Sequence, residues 1–327
     1  YMFPRKYKKQ SKIKRFLLKL FNVHALEKET LNIVNPNYKN NGNNFYRFND
    51  KTFILSSGYL ELDRKIQKLD IFFRYSPKNQ LWNSTDRWKR IVPKINKEDL
   101  IITCLISLKE SILNFLNNNK MNITIHLISD NSDENFDKSI KNILINDKFN
   151  FEFHNSKKSG NRGSYLECCD QAEKADDLIF FIEDDYLFEP ICLEELLITY
   201  SRISTLIKDD IILCPSDYPF YYDSNYKTSL FMGKDYRWRY VNETLLTIVF
   251  SKKILQKFRK EIRLVGEQIN EPFEKPLHEI YKKVLCLAPV GSLSYHLSRS
   301  VPAVNENWTD LWNKNYNKYK KLNVGGP

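Results

Sequence analysis

The chain of 327 residues is 42% hydrophobic and 14% aromatic, enough for the core of one large domain or two modest ones, and this excludes a disordered chain. Only 9 glycines and 12 prolines, with no internal period of about 20 to 50 residues, exclude collagen-like and repeat architectures. The net charge of +11 is concentrated at one end: Arg5, Lys6, Lys8, Lys9, Lys12, Lys14, Arg15 and Lys19 stand in the first 20 residues without an acid, and the 51 basic residues less these eight leave 43 against 40 acidic, so a basic groove for nucleic acid is not indicated.

Within that arm Ile13, Phe16, Leu17, Leu20 and Phe21 recur at helical spacing between the cations, the pattern of a basic amphipathic helix. Residues 5–21 either lie on an anionic membrane surface or pack their apolar stripe on the body of the protein. No apolar run reaches the roughly 18 residues of a membrane span, and the six cysteines fall mostly in apolar segments without metal spacing. The expectation is a soluble, cytoplasmic protein with reduced thiols, associated with a membrane at most through its arm.

Residues 1–98 read as an irregular, aromatic-rich extension. From there the texture is regular: a buried-strand run at 100–107 (LIITCLIS), a helix, a strand at 123–129 (ITIHLIS), a helix (NFDKSIKNILI), a strand at 149–154 (FNFEFH), the loop NSKKSGNRG, a helix (SYLECCDQAEKA), and the strand DLIFFI. Strands alternating with helices imply a mostly parallel α/β sheet, which binds ligands at the carboxyl ends of its strands. The second half is more mixed: a strand and loop over DDIILCPSDYPFYY, a strand and helix over TIVFSKKILQKF, a helix and strand over KPLHEIYKKVLCLAP, and then His296. A polar tail with Trp308 and Trp312 follows.

Two acidic groups sit at strand ends on the expected rim: Ser129-Asp130-Asn131-Ser132-Asp133, and Glu183-Asp184-Asp185. Three adjacent carboxylates repel one another, the more so where apolar neighbours exclude water, so positive charge is expected close by. Either group can also be a solvated loop or a helix cap.

The order of these motifs resembles the GT-A fold glycosyltransferases of the family 2 type. SDNS stands where that family has an acidic motif after its second strand, Asn161-Arg162-Gly163 where it has NxG opening a helix, and Glu183-Asp184-Asp185 where it has DxD; the late proline and histidine correspond to Pro289 and His296. The resemblance spans about residues 99–297. It implies a GT-A, Rossmann-like mostly parallel sheet flanked by helices, with a nucleotide-sugar-binding half over 99–210, an acceptor and catalytic half over 211–300, and a C-terminal tail over 301–327. The activity implied is that of a hexosyl- or related transferase, moving a sugar from a nucleoside-diphosphate sugar to a hydroxyl of a glycan, lipid-linked saccharide or other acceptor.

The resemblance implies Asp185 and His296 as ligands of Mn²⁺ or Mg²⁺, Asp184 against the ribose or donor sugar, and Asp130 against a base N–H. Ser107, closing the first expected strand, joins Asn161 and Arg162 in the donor-binding set, the latter two at a helix start where free N–H groups favour an anion. Each has a plainer reading: Asp130 a helix cap, Asn161 an ordinary turn, His296 a structural histidine. The ED pair that carries the catalytic base in the family is not intact here. Counting back from Pro289 puts the base at Glu271, with Glu267 next and Glu274 or Glu279 behind. Asp217, among aromatics that suit a sugar face, is placed with the acceptor. The rivals are a nucleotidyltransferase, which would carry a Gly-rich basic loop after its first strand where LISLKES has no glycine, and a non-catalytic glycan or nucleic-acid binder on the same fold.

Overall fold

The computed structural model describes residues 46–49, 52–55, 58–78, 95–146, 148–222, 228–298 and 308–324. The basic segment 5–21 lies outside them. The chain divides into two units, residues 1–63 with 204–209, and residues 64–203 with 210–327. The first holds an antiparallel sheet of β1 (Tyr46–Asn49), β2 (Thr52–Leu55) and β3 (Gly58–Glu61).

The second unit is built on a nine-stranded sheet. Its first strand is β4 (Lys68–Tyr75), followed by α1 (Lys97–Asn118), β5 (Asn122–Ser129), α2 (Glu134–Leu144), β6 (Asn150–Asn155), α3 (Gly160–Ala172) and β7 (Leu178–Glu183). β6, β5, β4 and β7 lie side by side and parallel, as alternating strands and helices require. Then come β8 (Tyr186–Phe188), α4 (Cys192–Ile207), β9 (Ile212–Leu213), β10 (Leu230–Met232), β11 (Arg237–Tyr240), β12 (Ile248–Ser251), α5 (Lys252–Lys257), α6 (Arg259–Glu267), α7 (Lys275–Tyr281), β13 (Cys286–Pro289), β14 (Ser294–His296) and α8 (Trp308–Val324). β12 runs antiparallel to β7 and to β9, β13 joins β9 in parallel, and β11 and β10 complete the far edge. β8 and β14 pair separately and antiparallel.

The chain leaves β4 toward β5 and β6 on one side and returns to β7 on the other. The crevice at the carboxyl ends of β4 and β7 is therefore the topological switch point, where open α/β sheets bind ligands.

Three elements differ from what the sequence predicts. The run 100–107 is helical, because α1 starts at an Asn96 cap whose Oδ1 accepts from Asp99 N–H at 2.6 Å and carries Glu98 and Asp99 in its first turn. Every residue from Asp99 to Leu108 is buried, so no polar face betrays the helical period. The sheet's first strand is instead β4, inside the stretch read as an extension up to residue 98; its Asp70 and Arg74 are charged yet buried, which hid a strand buried from Leu69 to Tyr75. The expected polar tail contains α8, whose Leu311 and Trp312 close a cluster with Leu100, Cys104, Leu187, Tyr295 and Leu297. That cluster buries Leu100 and Cys104 of α1.

Ser107 accordingly has a structural task. It lies in α1, 1% exposed, donating to Cys104 O at 2.6 Å and accepting from Phe188 N–H at 2.9 Å. Ser107→Ala is expected to lower stability by about 1–3 kcal/mol, the penalty of a buried N–H left without an acceptor, and to leave donor binding unchanged, as denaturant melts and donor titration would show.

All six cysteines are free and buried. No helix among the described residues is long and apolar enough to cross a membrane.

Candidate active site

The three acids at the end of β7 each meet a basic side chain. Register places Arg74 beside Glu183 on one face of the sheet, and the guanidinium donates to Glu183 Oε1 at 2.5 Å. It also reaches Asn161, at both its backbone and side-chain oxygens, and Ser164. Burial works against the Arg74 charge, and Glu183 with its neighbours more than restores it. Burial likewise lifts the Glu183 carboxyl above its ordinary range in spite of Arg74.

Asp184, the first residue of the turn after β7, points elsewhere. Its Oδ1 accepts from Lys97 Nζ at 2.5 Å and its Oδ2 from the Ser76 N–H at 3.0 Å, so the ends of β4 and the start of α1 converge on it. Asp185 is 7% exposed, and its Oδ2 lies 3.4 Å from His296 Nε2. The imidazole stacks on Tyr186 at 4.9 Å between centroids, and the Leu297 N–H bonds Asp185 O at 2.9 Å, so β14 is docked against the acidic turn. Asp185 and His296, 111 positions apart in the sequence, are thus neighbours.

Asp130 is 4% exposed, and its Oδ2 accepts from Gly160 N–H at 2.9 Å across to the start of α3. The cap of α2 is Asp133, which accepts from Phe136 N–H at 3.0 Å. Gly160 has φ +85°, open to glycine without strain, and at Gly163 an added Cβ would stand 2.0 Å from Lys158 O. Glycine at these positions lets the loop fold tightly over the end of β5. Asn161 and Arg162 are exposed at this helix start.

The residues around the expected base separate clearly. Glu267 pairs with Arg263 at 3.0 Å on α6, and Glu271 is exposed. Glu274, the residue before α7, is the one drawn into the site: burial, then the charge of Glu183, pushes its carboxyl up to about 7, with Arg74 and His296 close enough to pull the other way. Counting back from Pro289 points to Glu271 and not to Glu274; only four residues join α7 to β13, a connection whose length sequence does not announce.

Asp217 is 1% exposed; its Oδ2 accepts from Tyr222 OH at 2.5 Å and from Gly291 N–H at 2.8 Å. Burial raises its carboxyl above the ordinary range. It fastens the turn before β14, which carries His296, and presents no open face to an acceptor. Arg74, Lys97 and Ser76 were missed by the sequence reading, since all three depend on recognising β4 as the first strand; a charged pair inside the run LDIFFRY was the available signal.

Three findings bear on kinship. No curated protein sequence matches. Solved structures to which the chain shows some similarity include a UDP-glucose pyrophosphorylase complexed with UDP-glucose (12% identity, 79% of this chain and 100% of that one, TM-score 0.41). Others are the glycosyltransferase GlyE of Streptococcus pneumoniae TIGR4 (12% identity, 80% and 65%, TM-score 0.43) and the galactosyltransferase LgtC in complex with donor and acceptor sugar analogs (11% identity, 66% and 66%, TM-score 0.30). The family model for glycosyl transferase family 2 matches residues 90–259, more than half the chain, across the strands and helices that carry the acidic turn. The chain belongs to glycosyl transferase family 2.

Proposed function

We propose that this protein transfers a sugar from a nucleoside-diphosphate sugar to a hydroxyl of a glycan, lipid-linked saccharide or other acceptor, with Mn²⁺ or Mg²⁺ at Asp185 and His296. The observation that carries this reading is the meeting of Asp185, His296 and Glu274 with the acidic turn at the switch point of the sheet. Cis ligands of an octahedral ion held at about 2.1 Å lie roughly 3 Å apart, and the 3.4 Å between Asp185 Oδ2 and His296 Nε2 is close to that spacing. Both cations keep most of their waters and take one or two protein ligands, so this pair suffices. When bound, such an ion neutralises the charge that grows on the departing diphosphate.

The protein's own residues supply the remainder. Glu274 as carboxylate takes the proton of the acceptor hydroxyl, whose oxygen then bonds the anomeric carbon while the bond from that carbon to the phosphate oxygen breaks, a single displacement that inverts the centre. A carboxyl near 7 is poised for this, half-populated as base at neutral pH. Asp184, held by Lys97 and the Ser76 N–H, faces the ribose or donor sugar, and Asp130 the base. Arg74 and Lys97 offset two of the three acidic charges, so the turn can accept an ion and an anionic donor together.

The nucleotidyltransferase reading loses ground on the corrected first strand as well: residues 76–96, which follow β4, contain no glycine. Thermal shift with UDP-, GDP- and CDP-sugars tests the proposal. At least one donor is expected to stabilise the protein by about 2.7 kcal/mol at 100 times its Kd, only with Mn²⁺ or Mg²⁺, and Asp185→Asn to abolish the metal-dependent part. If no donor shifts the melting point with metal present, the reading fails.

A further inference from the structure

We propose that His126, Glu152 and His154 form a second, separate metal site that takes a borderline divalent ion of the zinc class at the edge of the sheet. His126 lies on β5, directly opposite Glu152 on β6, with His154 two residues further along the same face. Their ligand atoms form a closed triangle: His126 Nδ1 to His154 Nε2 is 3.1 Å, His126 Nδ1 to Glu152 Oε2 is 3.5 Å, and His154 Nε2 to Glu152 Oε2 is 3.6 Å. A zinc ion bonded at about 2.0–2.1 Å to each of three tetrahedral ligands requires separations of about 3.3–3.4 Å. Each side of the triangle lies within about 0.3 Å of that value.

Two further observations point the same way. His126 turns its other nitrogen to Asp70 Oδ1 at 3.1 Å, and Asp70 is 1% exposed on β4. The Nε2–H donated to that carboxylate leaves the Nδ1 lone pair aimed into the triangle, the carboxylate–histidine support that fixes a ligand's tautomer in metal sites. Phe72 stacks on the His126 ring at 4.5 Å and 10°, holding its plane. Two imidazoles with one carboxylate select zinc-class ions over Mg²⁺ and Mn²⁺. Glu152 is 60% exposed, so the fourth position opens to solvent. The site would pin β6, the last strand on its side of the described sheet, to β5. Nothing in it depends on Asp185 or His296.

The test titrates the full chain, stripped with a chelator, with Zn²⁺ against a chromophoric indicator in millimolar Mg²⁺, with Co²⁺ absorption as a second readout. One equivalent is expected, with a cobalt spectrum of nitrogen and oxygen ligation and no thiolate band, and a melting temperature that climbs with zinc concentration. His154→Ala is expected to abolish binding. Glu152→Gln, at an exposed position, should weaken it at least tenfold with the fold kept, and Asp70→Asn by about 10–100-fold. Asp185→Asn should leave the zinc affinity at its wild-type value, which separates this site from the transfer site. No stoichiometric Zn²⁺ in the wild type, or wild-type affinity in Glu152→Gln and His154→Ala, overturns the proposal; the histidines would then simply bond each other.

Discussion

Glu274→Gln is expected to cut transfer by about two to four powers of ten, the usual contribution of a general base, while making the protein more stable at pH 8. The two effects have one cause. Burial and the nearby Glu183 raise the Glu274 carboxyl from its ordinary 4.5 to about 7, so the folded protein holds a proton that the unfolded chain has already lost. The resulting stability is fully present below pH 4.5, declines as pH rises, and is lost once pH passes about 7. The shift corresponds to roughly 3 kcal/mol at most, at about 1.4 kcal/mol per pH unit. Glutamine is neutral at every pH and removes that decline. Urea unfolding of both proteins at pH 5 and pH 8 should therefore show the variant gaining only at the higher pH. In the wild type the same group should give the rate profile an acidic limb near 7. Glu271→Gln and Glu267→Gln, at exposed positions, should leave turnover near wild type. Unchanged turnover in Glu274→Gln, or parallel stability curves, would sink the assignment.

The second large effect lies at Arg74. Arg74→Met is expected to lower stability by about 1–3 kcal/mol, because it leaves the half-buried Glu183 carboxyl without its donor. It also removes the donor shared by Asn161 and Ser164, so the start of α3 loses its tie to β4. Glu183→Gln alone should be milder, since Arg74 keeps its bonds to α3. The double variant should recover part of the loss, giving a coupling energy of about 0.5–3 kcal/mol in a double-mutant cycle. A loss below about 1 kcal/mol for Arg74→Met would mean that the pair is solvated and the turn is neutralised in another way. Denaturant melts decide it.

The crowding of Glu183, Asp184 and Asp185 finds its answer inside the chain. Positive charge was expected near them, and the fold delivers Arg74 and Lys97 to the first two; beside the third it sets the His296 ring. A bound ion would add to these partners. Its proposed place is the third acid, where the partner is an imidazole that can ligate as well as bond.

Much of this molecule was legible in the residues. The strands at 122–129, 150–155 and 178–183, the helices between them and the acidic turn on the rim follow from local apolar patterning, and the motif order carried the family. What the sequence could not show were partners brought together over long separations: Arg74 with Glu183 is 109 positions apart, Lys97 with Asp184 is 87. A charge inside β4 made a buried strand look irregular, and an all-round apolar stretch made α1 look like a strand, because burial on every side erases the period that distinguishes the two. The surroundings of the candidate bases were hidden for a related reason. Which of several nearby glutamates is drawn against Glu183 depends on the length of a turn and the path of α7, and desolvation acts only where tertiary packing excludes water. The pattern of the chain was therefore fixed locally, and the charge state of its site by the fold.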